Sequence, residues 1–322
     1  MRLLRKLRTQ RSVRASRRAF PVATPRETQA IATLKDRFAE LSASGKLIEE
    51  INNPTWQQFL LRLAELVETE DVRQFLQWDV IRKSMFVADA PYVRQELAYL
   101  QGLDDWSTRW GSAIRESHAG LPTPCHFHAS SSGNLIHHAY HVAQYERVTE
   151  QRISELQSVF EFGGGYGSMR RLFHNLGFRG SYVIFDMPPF SLLQEYYLDT
   201  IGLTVQDVTE FAADPTGTCC VSNLDDLRQV IDAASGDNPT QNLFLATWSL
   251  SECPLALRGA ICPMLSAFGC HLIGFQAQFE DIDNVAYFRD FAAICGHKRV
   301  ETWPIQHLPG NHYLVGPRST TD

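Results

Sequence analysis

The sequence lacks long apolar runs and paired cysteines. No stretch approaches the roughly 18 apolar residues that a membrane-spanning helix needs, and residues 1–20 are basic without an apolar stretch long enough for a secretory signal. The seven cysteines are scattered, odd in number and without a CxxC pair. These absences exclude a disulfide-stapled secreted fold and a membrane-spanning protein, and they predict a cytoplasmic location with reduced thiols.

The chain has no acidic residue before Glu27, although this segment is rich in basic residues. Eight of the 30 lysines and arginines lie in the first 18 positions, while the rest of the chain has 22 basic against 36 acidic residues. We expect residues 1–24 to be a disordered basic arm, which is either simply solvated or in peripheral contact with anionic lipid at the inner face of the membrane. The acidic body argues against nucleic acid as a partner, because phosphate binding needs a basic surface.

The first half of the chain has a helical pattern. Hydrophobic residues make up 44% of the sequence, and over residues 26–118 they recur three and four positions apart, as on one face of a helix. The stretch from Thr55 to Phe86 is predicted to be one long helix, with Asn53 as its cap and Pro54 in its first turn. We therefore expect an α-helical cap region over residues 25–150.

A loop and a further helix complete this region. Residues 118–134 are rich in proline, serine, glycine and histidine, which is typical of a loop. The run that follows, from Leu135, has helical spacing, and Asn134 is the predicted N-cap.

After residue 157 the pattern changes to short apolar runs that alternate with helical segments. The runs SVFEFG, SYVIFDM, TCCVSN, NLFLATW and CHLIGFQ predict parallel strands joined by crossover helices. The last segment, KRVETWPIQHLPGNHYLVGP, has two strand-like pieces joined by Leu-Pro-Gly-Asn, which predicts a hairpin and a final antiparallel strand. Residues 151–322 are thus predicted to form a Rossmann-like α/β domain.

A glycine-rich turn follows the first of these strands in FEFGGGYGSMRRLF. A bare backbone at the carboxyl end of a strand lets a ligand approach closely, with the amides of the next helix facing it. Ser168 stands where a dinucleotide-binding fingerprint has its third glycine. Asp186 ends the second strand, 21 residues after Gly165, where a carboxylate can bond both hydroxyls of a ribose. The pattern predicts an adenosine-containing cofactor.

EFGGGYG followed by VIFD resembles motif I and the strand-2 acid of class I S-adenosylmethionine-dependent methyltransferases, over roughly residues 157–316. With YVIFDMPPFSLLQEYYL and ATWSLSE added, the chain is more narrowly similar to the sugar O-methyltransferase family of bacterial glycan gene clusters. Thr247 and Trp248 depart from that family, which has smaller polar residues at the tip of the fourth strand. The resemblance implies S-adenosylmethionine as cofactor and a sugar or glycan as acceptor.

The resemblance also implies a set of cofactor-binding residues. Glu161 would orient the turn or the methionine amine, Tyr166 would cover the cofactor, and Met187 would pack against the adenine. For Asn223, bonding of the adenine amino group and capping of the next helix are both open. The full set is Glu161, Gly163, Gly165, Tyr166, Gly167, Asp186, Met187, Asn223, Leu224, Trp248 and Ser249.

Methyl transfer to oxygen needs in-line positioning and a base for the acceptor hydroxyl. Glu252, beyond the fourth strand, is the first candidate, with a plain helix-start acid as the alternative. Histidines at 137, 138 and 141 share one helix, His307 lies beside the terminal hairpin, and His138 and His307 are the candidates carried forward. No metal site is expected, since this histidine group lacks acidic or thiol partners apart from Cys125.

The sequence thus favours a sugar O-methyltransferase and leaves two alternatives open. One is O-methylation of a phenolic or polyketide small molecule, and the other is a non-catalytic scaffold that keeps the fold. The oligomeric state is open too, with a homodimer among the options. Trp106, Trp110 and Trp248 either stack on a sugar ring or belong to the core.

Overall fold

A computed structural model of the chain describes residues 22–48, 53–236, 238–294 and 300–317. The expectation of a disordered arm over residues 1–24 therefore lies almost entirely outside the described residues. No helix in the described part of the chain is both long and apolar enough to cross a membrane.

A seven-stranded sheet organises the second half of the chain. Five strands are parallel and follow the five predicted apolar runs: β3 (Ser158–Phe162), β4 (Ser181–Phe185), β5 (Thr218–Val221), β6 (Asn242–Thr247) and β7 (Cys270–Gln276). The hairpin of β10 (Glu301–Pro304) and β11 (Asn311–Gly316) adds to β7 through β11, which runs antiparallel to it. The order across the sheet is β10-β11-β7-β6-β3-β4-β5. The predicted Rossmann-like α/β fold with a terminal antiparallel hairpin is confirmed.

Alternation along the strands divides the sheet into two buried faces, because successive side chains point to opposite sides. On one face, Val159, Ile184 and Leu245 share a core with the helices of the cap region. On the other, Phe160, Val183 and Phe244 pack against helices that come later in the chain. The cap region and the first face of the sheet are thus held together by one continuous apolar core.

Eleven α-helices of at least six residues surround the sheet and form the cap in the described residues, and a three-residue helix (Gly111–Ala113) adds to the cap. Those of the cap region are α1 (Pro25–Ala43), α2 (Pro54–Thr69), α3 (Asp79–Ser84), α4 (Pro91–Gln101) and α5 (Gly133–Thr149). Those of the sheet domain are α6 (Ser168–Asn175), α7 (Pro188–Thr200), α8 (Val208–Ala213), α9 (Leu224–Ala234), α10 (Leu255–Ile261) and α11 (Asn284–Ile294). Short strands β1 (Pro124–Cys125), β2 (His128–Ser132), β8 (Gln278–Phe279) and β9 (Ile282–Asp283) form two small hairpins.

The prediction of one long helix from Thr55 to Phe86 is wrong, although its start is confirmed. The side chain of Asn53 accepts hydrogen bonds from the amides of Thr55 and Trp56, as a cap should. The helix ends at Thr69 because Asp71 starts a new turn, accepting from the Arg73 amide at 3.1 Å and from the Arg73 guanidinium. A 3₁₀ turn (Val72–Gln77) and α3 follow.

The loop prediction for residues 118–134 also needs correction, since β1 and β2 lie within it. The N-cap of α5 is Ser132, whose hydroxyl accepts from the amide of Leu135 at 3.1 Å, and not Asn134. Asn134 lies inside the first turn, where its side chain is free to bond elsewhere. It contributes instead to the contact between the cap and the glycine turn described below.

Candidate functional site

The glycines after β3 adopt the backbone conformation that their sequence predicts. Gly163, Gly165 and Gly167 have φ values of +75°, +57° and +90°, a region that other residues avoid for steric reasons. We call residues Gly163–Gly167 the glycine turn. The Gly163 amide donates to the Phe185 carbonyl at 2.8 Å, which fixes the start of the turn to the end of β4.

Asp186 lies directly beside the glycine turn, as the sequence predicts. Its Oδ1 accepts from the Met187 amide at 2.8 Å, and its Oδ2 accepts from Gln194 Nε2 at 2.8 Å. The same Gln194 nitrogen donates to the Gly165 carbonyl at 3.0 Å, so one side chain joins the acid and the turn. Burial raises the pKa of Asp186 to about 7, against the hydrogen bonds from Met187 and Gln194, which lower it.

Glu161 is buried in β3, next to this pair. Its Oε2 accepts from the Tyr182 hydroxyl at 2.8 Å. Burial raises the pKa of Glu161 to about 7; the Tyr182 hydrogen bond lowers it and the charge of Asp186 raises it further. Two carboxyl groups with raised pKa values therefore lie at the junction of β3 and β4.

The residues after β6 lie against the start of the glycine turn. Ser249 donates to the Phe162 carbonyl, and its side chain occupies the place that a Cβ on Gly163 would need. Trp248 has φ +67° and ψ −36°, a strained conformation for a non-glycine residue. Its amide donates to the Gly274 carbonyl at 2.7 Å and its indole Nε1 to Asn311 Oδ1 at 2.6 Å, so neighbouring strands hold it in place.

Residues of the cap region cover the glycine turn. The nearest atoms to a Cβ built on Gly165 belong to the Met85 side chain, at 3.7 and 3.8 Å. Asn134 Nδ2 donates to the Tyr166 hydroxyl and to Ser168 Oγ, each at 3.1 Å. The Tyr166 ring itself is 2% exposed and packs against Phe75 and other aromatic rings of the core. Its predicted contact with a cofactor remains a prediction.

Side chains from four parts of the chain meet near Trp248, which follows β6. We define the histidine cluster as Glu96, His137, His141, Trp248 and His307. Nδ1 of His137 and Nε2 of His307 each lie 2.8 Å from Oε1 of Glu96. The His137 ring stacks on Trp248, with centroids 5.4 Å apart and an interplanar angle of 29°.

Glu96 is the charged centre of this cluster. The residue is fully buried, and its second oxygen, Oε2, has no hydrogen-bond partner in the described residues. Burial alone would raise the pKa of Glu96, but the hydrogen bonds from His137 and His307 outweigh it and hold the pKa below its ordinary value. The carboxyl group is therefore ionised at neutral pH.

The other predicted acid–base candidates lie in different surroundings. His138 Nδ1 lies 2.8 Å from Ser168 Oγ, and burial, with a smaller effect from the charge that His137 carries when protonated, lowers the pKa of His138 to about 3. Glu252 accepts a long hydrogen bond of 3.3 Å from Gln276 Nε2, and burial raises its pKa. The structure thus joins His307, but not His138, to the histidine cluster through Glu96.

At the tip of the third parallel strand, the structure shows the capping role of Asn223. Asn223 caps α9, its Oδ1 accepting from the Asp226 amide at 2.9 Å, and Leu224 is the first residue of that helix. Met187 caps α7 and, like Asp186, is partly exposed at the carboxyl edge of the sheet. Contacts of these residues with adenine remain predictions.

Sequence reasoning missed Met85, Glu96, Asn134 and Gln194, which come from the helices that surround the turn. Glu96 reads as an ordinary helix-surface acid in PYVRQELAYLQ, and only its burial beside two histidines distinguishes it. In the described residues, no group of three histidine, cysteine, aspartate or glutamate side chains is arranged to hold a metal ion.

Comparisons with known proteins give loose structural likenesses. No family profile and no curated protein matches the sequence. Solved structures that are similar include magnesium protoporphyrin IX methyltransferase from Synechocystis PCC 6803 with bound S-adenosylmethionine, at 12% identity, TM-score 0.37, 77% of this chain and 95% of that one. A fibrillarin pre-rRNA processing protein of Methanococcus jannaschii matches at 9% identity, TM-score 0.37, 56% of this chain and 74% of that one. The precorrin-6y C5,15-methyltransferase of Geobacter metallireducens GS-15 matches at 13% identity, TM-score 0.34, 55% of this chain and 85% of that one. With scores this low, the fold assignment rests on the order and direction of the strands.

Proposed function

We propose that this chain is an S-adenosylmethionine-dependent O-methyltransferase that acts on a hydroxyl group of a sugar or glycan. The observation that carries the proposal is the pairing of Asp186 with the glycine turn at the carboxyl edge of the sheet. In doubly wound α/β sheets, ligands bind at this edge, in the crevice beyond the strand ends. Gly163, Gly165 and Asp186 are all partly exposed there.

The residues present fit the proposed cofactor. Asp186 offers two carboxylate oxygens to the paired hydroxyls of a ribose. A side chain on Gly165 would meet only Met85, so the bare backbone leaves space between the turn and the cap. Gln194 Oε1 is buried without a hydrogen-bond donor in the described residues, which leaves an acceptor beside Asp186 for a polar ligand group.

When bound, S-adenosylmethionine supplies an electrophilic methyl group: the acceptor oxygen takes the methyl carbon, and sulfur keeps the electron pair of the broken carbon–sulfur bond. The chain has to align the two reactants, exclude water and accept the hydroxyl proton. Met85 and Asn134 of the cap region already lie over the glycine turn, which places them to exclude water there.

The side chains around the histidine cluster support a sugar as acceptor over a phenolic compound. Tyr92, Tyr140 and Trp248 are partly exposed there, and each combines an aromatic face with a hydrogen-bonding group. The ionised Glu96 and its histidines add polar groups that can bond several hydroxyls. A mostly apolar wall, as a phenolic acceptor favours, is not what the described residues form at this place.

The test combines calorimetry with mass spectrometry. We expect the protein to bind S-adenosylmethionine, and methyl-labelled cofactor to add one methyl group to a member of a panel of monosaccharides and bacterial glycans. Asp186→Ala should abolish binding, while Asp36→Ala, on the exposed face of α1, should leave it unchanged. Absence of cofactor binding in the wild type would leave the scaffold alternative, and methylation of phenols alone would reject the sugar.

A further inference from the structure

Glu96 binds two imidazoles with one oxygen, and this fixes the protonation of both rings. An ionised carboxylate only accepts hydrogen bonds, so each ring nitrogen that faces it carries a proton. His137 is therefore the Nδ1–H tautomer and His307 the Nε2–H tautomer when neutral. The lone pair of His137 is left on Nε2, which has no hydrogen-bond partner among the described residues.

The cluster adjoins the start of the glycine turn, beside which the proposed cofactor would lie. The His137 ring stacks on Trp248, and the next residue, Ser249, packs against Gly163 at the start of the glycine turn. Trp248 keeps its strained backbone through bonds to Gly274 and Asn311, so the rings are held on two strands of the sheet. The His137 ring is thus held by Trp248, which the sheet supports, and by Glu96 of α4.

We propose that His137, oriented by Glu96, is the catalytic base that takes the proton of the acceptor hydroxyl, and that Glu96 and His307 form the polar wall of a sugar-binding pocket between the cap and the terminal hairpin. This inference rests on the proposed function and names the residues of its acceptor site. Glu96 is a positioning residue, since it acts through His137.

The proton follows a balanced path. As the acceptor oxygen gains its new bond to carbon, its proton passes to Nε2 of His137, and the ring becomes an imidazolium ion whose Nδ1–H faces the Glu96 carboxylate. A carboxylate in a buried site stabilises that charge more strongly than water would. Release of the proton from Nε2 to solvent restores the neutral ring for the next turnover.

The surroundings of His137 leave Glu96 as the one ionised group bonded to it in the described residues. Tyr92 of α4 lies 5.3 Å from its ring centre, and burial raises the pKa of Tyr92 to about 12, so the phenol stays neutral. His141 lies 4.1 Å away on the same helix and is hydrogen-bonded to Tyr313, and burial holds the pKa of His141 well below its ordinary value. His307 is connected to His137 through Glu96, to which both rings are hydrogen-bonded.

The unpartnered oxygen of Glu96 gives an independent reason to expect a polar ligand. A buried ionised oxygen without a donor is energetically costly, because it has lost its hydration without gaining a hydrogen bond. The three partly exposed aromatic rings around the cluster shield its sides, and a ligand hydroxyl is a suitable donor. A polyhydroxy ring can present one hydroxyl to His137 and a second one to Glu96, which a simple phenol cannot.

Histidine-selective NMR tests the pairing without any cofactor. In protein labelled with ¹⁵N-histidine, we expect the neutral His137 ring to be entirely the Nδ1–H tautomer, with its signals assigned by their loss in His137→Gln. Glu96→Gln should produce a mixture of tautomers, because a carboxamide can both donate and accept. A predominant Nε2–H tautomer in the wild type would overturn the pairing.

Methyl transfer from labelled S-adenosylmethionine to a monosaccharide mixture (glucose, galactose, mannose and rhamnose) or to bacterial glycans tests the role. We expect His137→Gln to lower the rate at least ~100-fold, with unchanged cofactor affinity by calorimetry. Glu96→Gln should lower the rate at least ~10-fold, whereas His126→Gln, on an exposed loop, should match the wild type.

The outcomes separate the two proposals. A wild type that binds no cofactor overturns the proposed function and the catalytic role with it. A wild type that binds and methylates while His137→Gln does so at the same rate overturns only the role of His137. If His137→Gln does not fold, the Glu96→Gln tautomer and rate measurements decide, and an unchanged rate there overturns the role of Glu96 and the inference built on it.

Discussion

Cofactor affinity should depend on pH through Asp186. Burial raises the pKa of this carboxyl group from 3.8 to about 7 in the free protein. The ribose hydroxyls are donors, so they favour the ionised form, and binding must therefore release a proton wherever Asp186 begins protonated. With a pKa of about 7, roughly one molecule in eleven is ionised at pH 6, so we expect affinity about 10-fold below its plateau there and about 100-fold below it at pH 5.

Isothermal titration calorimetry measures both the cofactor affinity and the number of protons released on binding. Titrations in two buffers of different ionisation enthalpy should report close to one proton released at about pH 6. Asp186→Asn is the control, since it shares the titrations of the ligand itself but cannot ionise at position 186. This variant should bind the cofactor more weakly. Its affinity should rise with pH only as far as the ionisation of the cofactor itself dictates. Equal pH dependence in the wild type and in Asp186→Asn would refute the role of Asp186.

The same raised pKa has a consequence for stability in the absence of cofactor. As pH rises from about 4 to about 7, the unfolded chain loses the Asp186 proton while the folded chain retains it, so folding becomes less favourable. About three pKa units correspond to at most about 4 kcal/mol at 1.36 kcal/mol per unit. Urea denaturation should show the wild type losing up to this much relative to Asp186→Asn between pH 4 and pH 8, and parallel pH profiles would contradict it.

Three further changes test other parts of the chain. Gly165→Val should abolish cofactor binding by filling the space beside Met85. The control Gly45→Val, at φ +76° in open surroundings, imposes similar backbone strain and should keep cofactor binding. Equal cofactor affinity of the two variants by calorimetry would reject the site. Glu252→Gln should keep turnover within about 10-fold, because in the proposed path the proton passes to His137 and not to Glu252. A ~100-fold loss would return the role of base to Glu252. Deletion of residues 1–20 should leave activity intact and reduce sedimentation with anionic vesicles, and vesicle binding that survives would reject the arm as a lipid contact.

The parallel sheet could be predicted because its signals are local. Five apolar runs of strand length, the first four each followed by a helical segment, were enough for the strands and crossovers, and Leu-Pro-Gly-Asn was enough for the terminal hairpin. The glycine turn and Asp186 could be paired for the same reason, since the carboxyl ends of adjacent parallel strands lie at one edge of a sheet. The parallel direction of β3 and β4 sets this pairing.

The errors in the predicted helix boundaries arose where two local interactions compete. Both Ser132 and Asn134 are good N-cap residues, and sequence preference alone does not choose between them. Ser132 bonds the helix amide, and Asn134 is drawn to Tyr166 and Ser168 across the interface with the sheet domain. Asp71 likewise ends α2 through its bonds to Arg73, a local competition that the apolar spacing does not report.

By itself, the sequence determined the fold class, the glycine turn and the acid beside it, because strand-like apolar runs, glycines suited to positive φ and an acid at a strand end are all encoded within short stretches. Only the tertiary structure decided which of the clustered histidines has a charged partner. Helical spacing places His137, His138 and His141 on one helix. It does not report that Glu96 bonds both His137, 41 positions away along the chain, and His307, 211 positions away, while His138 turns to Ser168. Such contacts depend on how the cap packs on the sheet, which is a property of the folded chain.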